Sequence, residues 1–134
     1  MSRSAATRTS PQSETLTENI FRARYGTDYF LEKSAIPSHY GFKSKAGTEY
    51  KGYPDFFRDN GAWAIVVEAK ATAHAAAQAE VKHYLEQNEL RCDLIGIAIS
   101  GQANDQLKVT YYVKLAGAET EVLESVSDTL LSVD

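Results

Sequence analysis

Three charged residues in two short strings bear on chemistry first: Asp55 in GYPDFF, and Glu68 with Lys70 in VVEAK. Two carboxylates brought together offer the hard oxygen ligands that a magnesium-type divalent ion takes. Such an ion places and activates a water against a phosphate. A lysine beside them can stabilise charge developing on the attacked phosphate or orient the attacking water. On a strand, residues two apart share a face. Glu68 and Lys70 therefore project together, while Ala69 turns into the packing and leaves its carbonyl near the metal position. Charges ending the apolar run Trp63 to Val67 are a costly choice for a buried strand, which points to a strand that delivers charge to a specific place.

The elements that must position these groups can be read around them. Tyr53 to Phe57, the turn Asp59, Asn60, Gly61, and the run Trp63 to Val67 predict a hairpin with Asn-Gly turn chemistry, so pairing of its arms brings Asp55 toward Glu68. Before it, Ser10, Pro11 and Glu14 form a helix start, and the helix runs to about Tyr25, where Gly26 and Thr27 end it. Leu16, Ile20 and Ala23 fall on one side of this helix and Glu14, Glu18, Phe21 and Tyr25 on the other, which predicts contacts on both sides. Asp28 to Ile36 reads as extended, and Ser38 to Gly52 as a loop or ragged hairpin. After the motif, Ala71 to Asn88 predicts a second helix, Leu94 to Ser100 a strand buried on both faces with Gly96 inside it, and Leu107 to Leu115 another strand. The expected architecture is mixed α/β: helix, strands, helix, strand, strand. Residues 1–10 read as a disordered lead-in, 11–117 as the domain, and 118–134, with weak helical periodicity, as a tail linking to a further region.

Composition narrows the setting. The 134 residues with 43% hydrophobic content fit one core. One cysteine, Cys92, excludes an intramolecular disulfide, reads as a buried small residue and, with no Cys/His cluster, makes a reducing cytoplasmic setting the expectation. The longest apolar runs are far shorter than the roughly 20 residues that span a bilayer. A net charge of −4 argues against a domain that grips duplex DNA alone, because phosphate contacts need clustered Lys and Arg.

The other polar and aromatic residues have plainer readings. His74 and His83 fall on opposite sides of the second helix and are expected at the surface or in capping roles. Tyr111 and Tyr112 alternate across a strand, so one is expected to pack and the other to face outward. Tyr25, Tyr29 and Phe30 read as core. Lys43, Lys45 and Lys51, with Tyr50 and Tyr53, make a basic, aromatic-interleaved stretch suited to a DNA backbone or simply to a solvated loop.

GYPDFF and VVEAK, preceded by a helix bearing glutamates and followed by an alanine-rich helix with a late tyrosine, resemble the PD-(D/E)xK nuclease superfamily. More narrowly, they resemble the endonuclease domain at the N-terminus of type I and related translocating restriction enzymes. The resemblance covers roughly residues 10–115. It implies a restriction-endonuclease-like αβββαβ core with a central mixed sheet flanked by helices, and a magnesium-dependent hydrolase that cuts DNA phosphodiesters, with manganese as a substitute ion. It implies Asp55 and Glu68 as metal ligands, joined by the Ala69 carbonyl, Lys70 as the catalytic lysine, and a first-helix glutamate as auxiliary acid, for which Glu18 is chosen over Glu14, one turn away on the same face. The restriction subgroup tends to carry a Gln and a Tyr four residues apart on the second helix. Here Glu80 stands four before Tyr84 and the nearby glutamine is Gln78. Gln78, Lys82, Tyr84 and Lys51 are the residues expected to touch DNA. Sequence recognition and translocation would fall to other domains or subunits of a restriction-modification system. Competing expectations are a catalytically silent nuclease-like fold serving as a nucleic-acid or protein interaction module, and a repair or junction-resolving nuclease.

Overall fold

A computed structural model describes residues 14–44, 47–117 and 121–127, with 47–51 and 121–127 described as backbone. The expected helix start at Ser10 and Pro11, the lead-in 1–10 and residues 128–134 lie outside the described residues.

The first helix, α1 (Glu14–Tyr25), ends where Gly26 takes a left-handed conformation and its N–H bonds the Arg22 carbonyl at 2.7 Å. A short strand, β1 (Leu31–Glu32), and a 3-10 turn over Lys33–Ala35 occupy the segment expected to be extended throughout. A small hairpin of β2 (Lys43–Ser44) and β3 (Gly47–Lys51) follows, with irregular register, as a ragged hairpin should have. Then come β4 (Phe56–Asp59), β5 (Trp63–Lys70), α2 (His74–Glu86), β6 (Asp93–Ser100), β7 (Lys108–Lys114) and β8 (Glu121–Ser127). The main sheet has six strands in the order β1-β4-β5-β6-β7-β8. β5 and β6 are parallel and every other pair is antiparallel, so the sheet is mixed and α2 is the crossover between the parallel strands.

Alternation along β5 explains the layering. Ile65, Val67 and Ala69 enter one core with Phe21 of α1, Phe30, Phe56, Ile97, Ile99, Val109 and Tyr111. Ala64 and Val66 enter the other with Phe42, Phe57, Ala77, Val81, Leu85, Ala98 and Tyr112. A helix thus lies on each face, and the central strands are apolar on both, as their unbroken hydrophobic runs require. Asp59 closes the β4–β5 hairpin: its carboxylate accepts the Gly61 N–H at 2.8 Å and Gly61 takes φ +88°.

Several expectations are corrected by this layering. Leu16 and Ala23 are exposed, and α1 packs through Thr17 and Phe21 on one side only. Tyr111 and Tyr112 are both buried, because both faces of β7 are covered and neither ring is left to the solvent. His74 is buried, not at the surface, and Cys92 is half-buried. The stretch 121–127 is a strand, not a helix: β7 offers an open edge, and backbone pairing with it outweighs a weak helical pattern. No helix among the described residues is long and apolar enough to cross a membrane.

Candidate active site

The motif residues meet where β4 and β5 run together. The ladder pairs Phe56 with Val67, which sets Asp55 opposite Glu68. Two reciprocal bonds lock them: the Asp55 N–H donates to Glu68 Oε2 at 2.7 Å, and the Ala69 N–H donates to Asp55 Oδ2 at 2.8 Å. Both carboxyls are buried, Asp55 at 7% and Glu68 at 3% exposure. Ala69 itself is fully buried in the α1-side core, so Glu68 and Lys70 share the opposite, α2-side face as the two-residue alternation requires.

Each charged group has partners that come from other elements. Lys33, in the turn after β1, places its Nζ 3.1 Å from Asp55 Oδ1. Lys70 pairs with Glu80 of α2 at 2.9 Å and with Glu14 of α1 at 3.6 Å. Burial opposes the Lys70 charge, but the hydrogen bond and charge of Glu80, helped by Glu14, hold its pKa above the usual lysine value. Burial pushes the Glu68 carboxyl far above the usual carboxylate range, and a hydrogen bond to Glu80 and the charge of Asp55 push the same way. Glu80 thus faces both Glu68 and Lys70, and burial beside it favours the protonated form of Glu68.

The first helix contributes both of its candidate acids. One oxygen each from Glu14, Glu18 and Asp55 lie within 4.8 Å of one another. Burial and then the Asp55 charge raise the Glu18 pKa, while Arg22 opposes the shift. Thr17 holds the helix in this place: its hydroxyl donates to the Gly101 carbonyl at 2.6 Å and lies 3.1 Å from the carbonyl of Lys70. Glu68 stands outside the triplet, committed to the Asp55 N–H and to Glu80. The donor set is carboxylate oxygen alone, which fits a hard divalent ion and not a thiolate- or imidazole-seeking one.

The residues expected to touch DNA are dispersed. Lys82 is exposed on α2. Tyr84 is buried, edge-on to Phe42, and burial with the charges of Glu68, Glu80 and Asp55 raises its pKa. Gln78 is drawn aside, its amide donating to Thr110 at 3.2 Å. That threonine belongs to a buried polar cluster in which the His74 ring bonds Ser100 and Thr110, each at 2.8 Å. Burial and Lys108 nearby lower the His74 pKa, which keeps the ring neutral and able to use one nitrogen as donor and the other as acceptor. His83 bonds the Lys43 carbonyl at 2.8 Å. The side chains of Lys45, Tyr50 and Lys51 lie outside the described residues.

Sequence reasoning missed Lys33 and Thr17 and did not assign Glu80 to the centre. For Glu80 a signal existed: it occupies the helix position four before Tyr84. For Lys33 and Thr17 there was none, because their proximity to the motif depends on how β1 and α1 dock. Comparison with family models, curated proteins and solved structures finds no match.

Proposed function

We propose that this chain carries a metal-dependent nuclease centre that hydrolyses DNA phosphodiester bonds, on a restriction-endonuclease-like core. The observation that carries the reading is the interlock of Asp55 and Glu68 across the β4–β5 hairpin, with Lys70 on the same face of β5. Along the main sheet, α1, β1, β4, β5, α2 and β6 follow the order αβββαβ, with a hairpin inserted and two strands added, which supports the same reading. The cleavage module of a restriction-modification enzyme is the biological setting that fits best, with recognition and translocation supplied elsewhere.

Asp55, Glu18 and Glu14 would hold the ion, and Glu68, whose burial favours the protonated form, would join them when ionised. A magnesium-type cation, when bound, supplies positive charge to the phosphate oxygens and acidifies a water. Asp55 is fixed for this role by the Ala69 N–H, which leaves Oδ1 as its outward oxygen. Lys70, on the same face of β5 as Glu68, would place its ammonium against the attacked phosphate, where negative charge develops. Ala69 and Val67, buried beneath, keep the strand from shifting and the donors from drifting apart.

The test is cleavage of supercoiled plasmid in magnesium or manganese by the wild-type chain, Asp55→Ala and Lys70→Ala. Each substitution is expected to lower the rate by about a hundredfold or more, on the scale of losing one preorganised electrostatic group. Cleavage that persists in both variants rejects the assignment. Where the isolated wild type does not cut, manganese binding that is lost in Asp55→Ala supports the metal-ligand role, and binding that survives it rejects that role.

A further inference from the structure

We propose that Lys33 belongs to the metal centre as a built-in counter-cation, its ammonium holding the outward oxygen of Asp55 until a divalent ion displaces it. The inference rests on the metal-dependent reading above and assigns a regulatory residue to that centre.

The sheet builds this pair. β1 runs antiparallel to β4 with Leu31 opposite Phe57 and Glu32 opposite Phe56, so the next residue, Lys33, falls opposite Asp55. Its N–H donates to the Asp55 carbonyl at 3.1 Å, which fixes the root of the side chain. Asp55 Oδ2 is taken by the Ala69 N–H, and the oxygen left for a cation, Oδ1, is the one Lys33 holds at 3.1 Å.

The other cations near Asp55 are engaged elsewhere. Arg22 donates to both oxygens of Glu32 at 2.7 Å and to Glu18 at 3.2 Å. Lys70 is held by Glu80 and Glu14. Among the described residues Lys33 is therefore the ammonium that offsets the Asp55 charge directly.

The pair is also built to open. The Lys33 side chain is 58% exposed, and it borders a cleft of about 250 Å³ shared with Glu18, Arg22, Glu32, Ser34 and Asp55, so it has room to swing clear without disturbing the core. The pair is open at its lysine end only, Asp55 being buried, and a divalent ion bound by several carboxylates outcompetes a single tethered charge.

The experiment is calorimetric titration of Mn²⁺ into the full chain as wild type, Lys33→Met, Lys33→Gln and Asp55→Asn, with melting curves in the absence and presence of the ion. Lys33→Met and Lys33→Gln are expected to bind Mn²⁺ about two- to fivefold more tightly, the reciprocal of losing an exposed ion pair, while Asp55→Asn loses binding. Their melting temperatures should fall without the ion and rise more than the wild type's with it. Affinity that is unchanged or weaker in a folded Lys33 variant, with Asp55→Asn still defective, overturns the counter-cation role and leaves the metal reading standing. A wild type that takes up no Mn²⁺ overturns both.

Discussion

At the residue scale, burial beside Asp55 and Glu80 favours the protonated form of Glu68. Glu68 is buried on the α2 face with Glu80 as partner, and its raised pKa means that the folded chain binds a proton the unfolded chain releases. The sign follows: this contribution is fully present below the ordinary carboxylate value of 4.5 and is lost as pH climbs toward the raised value. Wild-type stability without metal should therefore decline from weakly acidic to alkaline pH. Glu68→Gln keeps the shape and can still accept the Asp55 N–H, but has no proton to lose. It should be more stable than wild type at pH 8 by on the order of 1 kcal/mol or more, with a flatter dependence of melting temperature on pH. Equal slopes for the two proteins would show that Glu68 is ionised at rest. Asp55, Glu68 and Lys70 were legible in the sequence because a hairpin register and a two-residue alternation are local rules. Lys33 and Thr17 were not, since they arrive through strand pairing and helix docking across tens of residues, which spacing does not encode.

At the scale of elements, the centre depends on how closely α2 approaches the sheet. Gly96 sits in the middle of β6, and a Cβ built on it would lie 2.6 Å from Val81 Cγ1 and 2.8 Å from Leu85 Cδ1. Both side chains are fully buried, so neither can move aside freely. Gly96→Ala should push α2 outward and cost about 1–3 kcal/mol, read as a lower urea midpoint with unchanged denaturant slope. Because α2 carries Glu80, the same variant should loosen the Lys70–Glu80 pair. A midpoint within experimental error of wild type would mean that the layer has slack. The elements with strong periodicity, α2, β5 and β6, could be placed from sequence to within a few residues. β8 could not: Val122, Leu123 and Val126 suit a helix face as well as a strand, and the choice is made by the open edge of β7, which is invisible until the sheet exists. The Tyr111–Tyr112 pair misled for a related reason, since alternation separates inside from outside only when one face of a sheet is bare, and His74 misled because the start of α2 docks its ring on Ser100 and Thr110.

At the scale of the whole molecule, the balance of charge bears on how the proposed nuclease would hold its substrate. The chain carries −4 overall, and the cations near the centre, Arg22, Lys33 and Lys70, are already bound to carboxylates. A duplex approaching this face meets the acids of α1 together with cations whose charge is largely spent. Affinity for DNA rests on counterions released by unpaired Lys and Arg, so few should be released here. The isolated chain is expected to bind a duplex no more tightly than about 10 µM at physiological salt. The slope of log affinity against log salt should correspond to fewer than about three phosphates. Fluorescence anisotropy over a salt series, in calcium to restrain cleavage, measures both quantities. Loading the proposed centre with a divalent ion should strengthen binding, because it neutralises the acids and frees Lys33, so affinity should rise with calcium until the site is full. A steep slope in the absence of any divalent ion, reporting six or more phosphate contacts, would mean that this domain grips DNA through a basic surface of its own and needs no partner to hold the substrate.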